Sequence, residues 1–264
     1  MKSQAKPSGR VRALSIIAVV LSIGGIAAAL VAAGGSGSGA WPFATGFMIL
    51  RYAFFAAVAG GVLAVIALFA GRRLSGASAM LSFAALALSL VFGFYLGNLV
   101  ATAKSVPAIH DVTTNVDDLP QFATLTVRPD NLDNIPDMDR AELAAMAPEQ
   151  RWKAVHRQAY GDLRTIRVAT DVPTTLRRAE ALAKARGWEI AAADPQSGTL
   201  EATATSRFFH FRDDVAVRVR RDPGRGGGSL VDMRSISRVG ASDVGVNAAR
   251  VRTFIADLQD KPGQ

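Results

Sequence analysis

Three apolar runs, Ala13 to Ala33, Tyr52 to Ala70 and Ala77 to Val100, fill most of the first hundred residues without a charged side chain. A helix needs roughly 20 apolar residues to cross the hydrocarbon core of a bilayer. Buried helices of a soluble protein seldom run so long without a charge, so the pattern predicts three transmembrane helices. Gly24–Gly25 and Gly60–Gly61 suit close packing between such helices. The stretch GGSGSGAWPF after the first run reads as a flexible connector. Its G-x-G spacing is no dinucleotide fingerprint, because a membrane helix and not a strand precedes it.

The pattern changes at Lys104. Pro107, Pro120, Pro129, Pro136 and Pro148 deny residues 104–150 regular structure, apart from a short helix expected over Asp139 to Met146, and predict an extended arm. Globular periodicity then begins. Glu149 to Tyr160 reads as a helix and Leu163 to Ala169 as a strand. A helix follows from Pro173, with Asp171 as its cap, Gly187 as its stop and Leu176, Ala179, Leu182 and Ala183 on one face. Trp188 to Ala192 returns as a strand. Thr199 to Phe208 alternates Leu200, Ala202, Ala204 and Ser206 inward with Glu201, Thr203, Thr205 and Arg207 outward, and Val215, Val217 and Val219 alternate likewise.

The glycines of Gly224 to Gly228 close a hairpin into Leu230 to Val239. They lack the G-K-[ST] ending of a phosphate-binding loop. The order β-α-β-β-β-β-α predicts an α+β fold: three N-terminal transmembrane helices, then a soluble antiparallel sheet with helices packed on one face. The expected divisions are a transmembrane region over 1–103, the arm over 104–150 and the soluble domain over 151–264.

Val231 to Arg252 is the densest stretch. Along the strand, Val231, Met233, Ser235, Ser237 and Val239 share one face, and Asp232, Arg234, Ile236 and Arg238 share the other. Gly240 breaks the strand, and Ser242 or Asp243 can cap the final helix. Its expected apolar stripe is Val244, Ala248, Val251, Ile255 and Leu258. Asp243, Asn247 and Arg250 border that stripe at i, i+4 and i+7, which predicts a polar cluster at a strand-to-helix corner.

Charge sharpens this picture. The net charge is +8, yet seven of the 30 basic residues precede position 104 and all 22 acidic residues follow it. The remainder from Lys104 is close to neutral, which argues against a nucleic-acid partner. It divides into an arm with nine acids against three bases and a domain with net charge +7, so the arm is expected to be drawn onto the domain's basic face. Lys2, Lys6, Arg10 and Arg12 precede the first run and Arg72 and Arg73 separate the second from the third, whereas Gly34 to Phe47 is uncharged. The positive-inside rule then places the N-terminus in the cytoplasm and the soluble domain outside, in the periplasm, on a multi-pass protein of the inner membrane. Arg51 can snorkel, and Trp41 and Tyr95 suit the interface. A cleaved signal peptide is the rival reading of the first run, although its apolar core exceeds the ~7–15 residues usual in signals.

The segments Pro107-Ala-Ile-His-Asp-Val-Thr-Thr, EATATSRFFHFRDD from Glu201 to Asp214, and Val231 to Arg252 resemble the domain-of-unknown-function family numbered 1499. The resemblance covers roughly the last 160 residues, about 104–260. Gly161 stands where that family is expected to carry proline. The resemblance implies a single domain of bacteria and plastid-containing eukaryotes, sometimes behind membrane helices, and implies no particular activity.

Candidate chemistry is sparse. The chain has no cysteine, which excludes disulfides and thiolate ligands. Its histidines, His110, His156 and His210, form no close metal-ligand pair, so no metal or other cofactor is expected. No G-x-S-x-G elbow is present, and Ser235 and Ser237 lie within a strand. Asp213 and Asp214 point to opposite faces of a strand and form no carboxylate pair. As general bases, Asp214 and His110 are the only candidates, and catalytic residues stay unassigned.

Arg207, Arg234, Arg238 and Arg250 are expected to converge with Asn247 near the final helix, either as an anion site or as an internal network satisfied by Asp214, Asp232 and Asp243. His110 and Asp111 are the arm's candidates. Three functions stay open: an envelope binding or interaction module for an anion or lipid headgroup, a structural or assembly factor bound to another membrane protein, and an uncharacterised enzyme. Membrane lipids are the expected partners.

Overall fold

In the computed structural model, which describes residues 9–70, 76–224 and 227–259, the apolar runs form α1 (Gly9–Gly37), α2 (Phe43–Ala70) and α3 (Gly76–Ser105). All three are long and apolar enough to cross a membrane. Helix α1 continues through the glycines, so the expected flexible connector shrinks to Ser38–Pro42. Trp41 packs against the extension. A side chain at Gly35 would come within 1.9 Å of its indole ring, so the glycine leaves a seat for it. Arg51 lies inside α2 and is exposed. Lys2, Lys6, Arg72, Arg73 and the centre of the Gly224 to Gly228 turn lie outside the described residues.

The described residues form two compact units, 1–101 with Arg207–His210, and 102–206 with 211–264. In the first, a small-residue stripe on α1 (Ser15, Ala18, Ser22, Gly25, Ala29) is buried. A Cβ at Gly25 would meet the Ala53 carbonyl oxygen at 2.6 Å, and one at Gly60 would meet that of Ala18 at 2.8 Å. Such close backbones are how helices associate where lipid removes the hydrophobic drive. Helix α3 joins through hydroxyls: Ser82 donates to Ser15 at 2.9 Å, and Ser89 lies 2.9 Å from Ser22 and donates to the Ala57 carbonyl at 2.6 Å.

In the second unit, β1 (Asp111–Thr113), β2 (Ile166–Val168), β3 (Glu189–Asp194), β4 (Thr199–Thr205), β5 (Arg212–Arg221) and β6 (Ser229–Ser237) form one antiparallel sheet. β6 pairs with β5 on one edge and with both β1 and β2 on the other, and β4 and β3 follow beyond β5. Helices α4 (Ala141–Ala144), α5 (Pro148–Tyr160), α6 (Val172–Ala185) and α7 (Val246–Gln259) complete the domain. Local signals act as expected at α6, where the Asp171 carboxylate accepts from the Thr174 N–H at 2.8 Å. Gly187 adopts a left-handed φ of 74° just past its end. On the helix side of the sheet, Leu200, Val215, Val217, Val219, Val231 and Met233 pack with Leu176, Val251, Phe254 and Leu258 into the core.

The opposite face departs from expectation. Glu201 and Thr203, expected outward, are buried, and so are Asp214, Asp232 and Arg234 on the same face. The arm covers them. It also supplies β1, a strand the proline density concealed, so the sheet is sandwiched between helices and an irregular layer. The expected stripe of α7 shifts too: Val244 precedes the helix, is exposed and has a left-handed φ of 50°, and Phe254 takes a place in the core.

His156 on α5 secures β1. Its Nε2 accepts from the Thr113 N–H at 3.0 Å, and its ring lies between those of Trp152 and Tyr160. Burial lowers its pKa from 6.5 to about 4. Between those values the unfolded chain binds a proton that the folded chain refuses. The stability contribution is therefore full above pH 6.5 and is lost as pH falls to about 4, by about 3 kcal/mol. Thermal unfolding of the full chain in detergent should show this loss across pH 7 to 4, with a shallower slope in His156→Gln. Equal slopes would contradict the assignment.

Candidate functional site

The pleat of β6 divides the predicted corner in two. Ser235 and Ser237 point toward α7, while Arg234 and Arg238 point to the arm. On the helix side, Asn247 is the centre. Its amide nitrogen donates to the His110 carbonyl at 2.8 Å and to Ser237 Oγ at 2.9 Å, and its Oδ1 accepts from Ser235 Oγ at 2.7 Å and from Arg250. Arg250 also reaches Asp213 at 2.7 Å. Asp243 accepts from the Gly245 N–H at 3.0 Å and from the Asn247 N–H, satisfying the free donors that open α7. Burial raises its pKa despite those bonds.

On the arm side, Arg234 makes a two-pronged contact with Asp111, Nε to Oδ1 at 2.9 Å and Nη2 to Oδ2 at 2.6 Å. Both are buried, and Asn131 steadies the carboxylate at 2.7 Å while also contacting His110 Nε2 at 3.1 Å. Arg238 grips Asp214 in the same way, at 2.8 and 2.9 Å, and Thr203 adds a hydrogen bond to Asp214 at 2.8 Å. The bond to Asp214 raises the pKa of Arg238. Arg207 joins neither cluster. It is exposed in the loop after β4, its guanidinium 5.9 Å from the Phe208 ring centroid.

Two carboxylates organise the arm: Glu201, which sequence reasoning left unassigned, and Asp232, which it offered only as a partner for the four candidate arginines. Glu201 accepts from the backbone N–H groups of Ala123, Thr124 and Leu125 at 2.7 to 3.1 Å. Asp232, fully buried, receives Arg218 at 3.0 Å and Arg220 at 2.7 Å, with Thr165 Oγ1 at 2.5 Å. The same arginines reach Asp118 in the arm at 2.9 and 3.1 Å. The signal was present in the outward positions of β4, β5 and β6, where acids and bases alternate across strands. Periodicity alone places these side chains outward on β4 and does not show that a second layer covers them.

This layer opens to solvent at one end. A cleft of about 260 Å³ lies between Thr126–Pro129 of the arm and Asp214, Ile236, Ser237 and Arg238 of the sheet. Val127, Pro129 and Ile236 give it apolar walls. Arg238 is 36% exposed there, against 6% for Arg234. Arg128 lines it too, bound to Asp130 and donating to the Gly240 carbonyl at 2.6 Å. Asp214 and His110, the candidate bases, have their polar atoms engaged by Arg238 and Thr203 and by Asn131 and the Ala241 carbonyl. Among the described residues no group of three His, Asp or Glu side chains is placed to hold a metal ion.

A family model described as protein of unknown function (DUF1499) matches residues 111–258. The chain belongs to the DUF1499 family. Its matched span runs from Asp111, the partner of Arg234, to Leu258 in the core of α7, and so includes the arm from Asp111 onward. No curated protein matches the chain.

Removing one partner of a buried ion pair leaves the other uncompensated, at a cost of about 3–5 kcal/mol. Arg234→Met should lower the unfolding midpoint of the full chain accordingly, and Asp111→Asn combined with Arg234→Met should recover much of the loss. If the double variant is no more stable than the single one, the pair is not the coupled unit described.

Proposed function

We propose that this DUF1499 protein is a membrane-anchored, extracytoplasmic binding module whose ligand enters the cleft beside Arg238. The carrying observation is the contrast between Arg234 and Arg250, closed off by Asp111 and Asp213, and Arg238, which carries the buried ionic layer to solvent. Arg238 commits Nε and Nη2 to Asp214, and Nη1 takes no part in that contact. An oxyanion, carboxylate or phosphate, with a short apolar neighbour suits a guanidinium edge beside Val127, Pro129 and Ile236. A phospholipid headgroup and a free anion share that chemistry.

Three successive spans support the anchoring, and the bases around them support an N-terminus in the cytoplasm and a domain outside the inner membrane. A second reading, an assembly factor for a membrane complex, is favoured by α3, which buries only Ser78, Ser82 and Ala85 and so keeps a broad face for another helix.

Thermal shift of the full chain in detergent, with inorganic phosphate in one arm and a short-chain phosphatidylglycerol in the other, tests the site. A ligand at 100 times its Kd stabilises by about 2.7 kcal/mol, enough for a shift of a few degrees. One arm should respond, and Arg238→Ala should abolish the response. A response that survives in Arg238→Ala, or no response in either arm, rejects the site.

A further inference from the structure

The loop between β4 and β5 reads Arg207-Phe208-Phe209-His210-Phe211-Arg212. It is closed at its base by the Ser206 N–H donating to the Phe211 carbonyl at 2.8 Å and the Phe211 N–H donating to Ser206 Oγ at 2.9 Å. Phe209 and His210 have left-handed φ values of 59° and 48°, in a turn where glycine would be at ease. The side chains that replace glycine there have seats. The four residues Arg207–His210 group with the membrane helices. Within that unit, the Phe209 ring lies 4.9 Å from Phe47 of α2, and His210 Nδ1 lies 3.2 Å from the carbonyl of Gly37, the last residue of α1. A side chain at Gly37 would meet the His210 ring at 2.8 Å, and one at Gly46 would meet Phe209 at 2.9 Å.

That end of the α1–α2 pair carries an aromatic cluster. Phe43 and Phe47 are 6.0 Å apart edge to face, and both are exposed, as is Phe208. Exposed Phe beside a cation is the composition of segments that bury an apolar face at the boundary of acyl chains and headgroups. Arg207 enters no ion pair among the described residues, and it lies over Phe208.

We infer that Arg207–His210, within the unit of the membrane helices, is a membrane contact. Phe208 enters the acyl–headgroup boundary of the leaflet at the α1–α2 turn, and Arg207 binds lipid phosphate above it. The inference rests on the three-span reading, because three successive crossings bring the end of α3 back to the side of the α1–α2 turn. The loop is suited to lipid by its chemistry: an exposed apolar ring beneath a cation, on a rigid turn.

The absence of native cysteine allows a unique label. The full chain carrying Phe208→Cys, labelled with an environment-sensitive fluorophore, is reconstituted in nanodiscs containing phosphatidylglycerol and lipids with a quencher near the headgroup. Gln196→Cys, in the exposed turn at the far end of β4, is the solvent control. Quenching at position 208 should be several-fold stronger than at 196, and Arg207→Glu should reduce it in anionic nanodiscs more than in phosphatidylcholine alone. Arg207→Cys gives the same readout should Phe208→Cys not fold. Quenching at 207 and 208 no stronger than at 196, in protein that has entered nanodiscs, overturns the inference while leaving the spans intact. Failure to enter nanodiscs overturns the three-span reading beneath it.

Discussion

A carboxylate taken out of water must be matched by donors or cations, and the layer of the domain opposite its helices depends on this requirement. Asp111, Asp214, Asp232 and Glu201 all lie on or beside the sheet face turned away from the helices. The sheet alone cannot satisfy them. Asp232 uses Arg218 and Arg220 from the neighbouring strand, and Glu201 takes three successive N–H groups from the arm. Those N–H groups belong to a segment with no strand or helix to engage them. Each partner supplies what the other lacks, which is why an irregular chain can cover a sheet face without leaving backbone donors stranded.

The helix side of the fold was legible because it follows period. Alternation in β4, β5 and β6 and the spacing of Leu176, Ala179 and Ala183 need only local geometry to be read. The arm side was not legible, for a physical reason. A solvated strand face and a face buried beneath a polar layer have the same alternation, and only the balance of acids against bases between strands tells them apart. Strand β1 escaped for a related reason. Three residues between Pro107 and Pro120 carry too little pattern to announce a strand, and they pair only because the outer edge of β6 is free to accept them.

The candidate site shows the same division. Residue parity along β6 already put Arg234 and Arg238 on the face opposite Ser235 and Ser237. Since α7 packs on the serine face, the arginines of the strand could not meet Asn247 and Arg250 without crossing the sheet. Asp213 and Asp214, adjacent on β5, then serve opposite faces, one closing Arg250 and the other Arg238. The pleat therefore places Arg234, Arg238 and Asp214 on the arm side and Asp243, Asn247 and Arg250 on the side of α7, with Arg207 in neither cluster. Proximity along the chain carries no information about that division.

The distribution of charge narrows how such a domain can recognise anything. An arm carrying nine acids lies against a domain of net charge +7, and much of that opposition is spent in contacts such as Asp118 with Arg218 and Arg220 and Asp117 with Arg157. Little long-range field is left to steer a polyanion. Of the four candidate arginines, three are held by a carboxylate, which fixes the guanidinium plane and neutralises it. The recognition we propose is therefore short-ranged: a held guanidinium at the mouth of a small cleft would discriminate by geometry, and a cation over an exposed ring would discriminate by the boundary between water and acyl chain. Both proposed sites would suit a protein whose three helices are long and apolar enough to hold it at a membrane, where tethering would raise the local concentration of lipid and relieve the site of the need for strong intrinsic attraction.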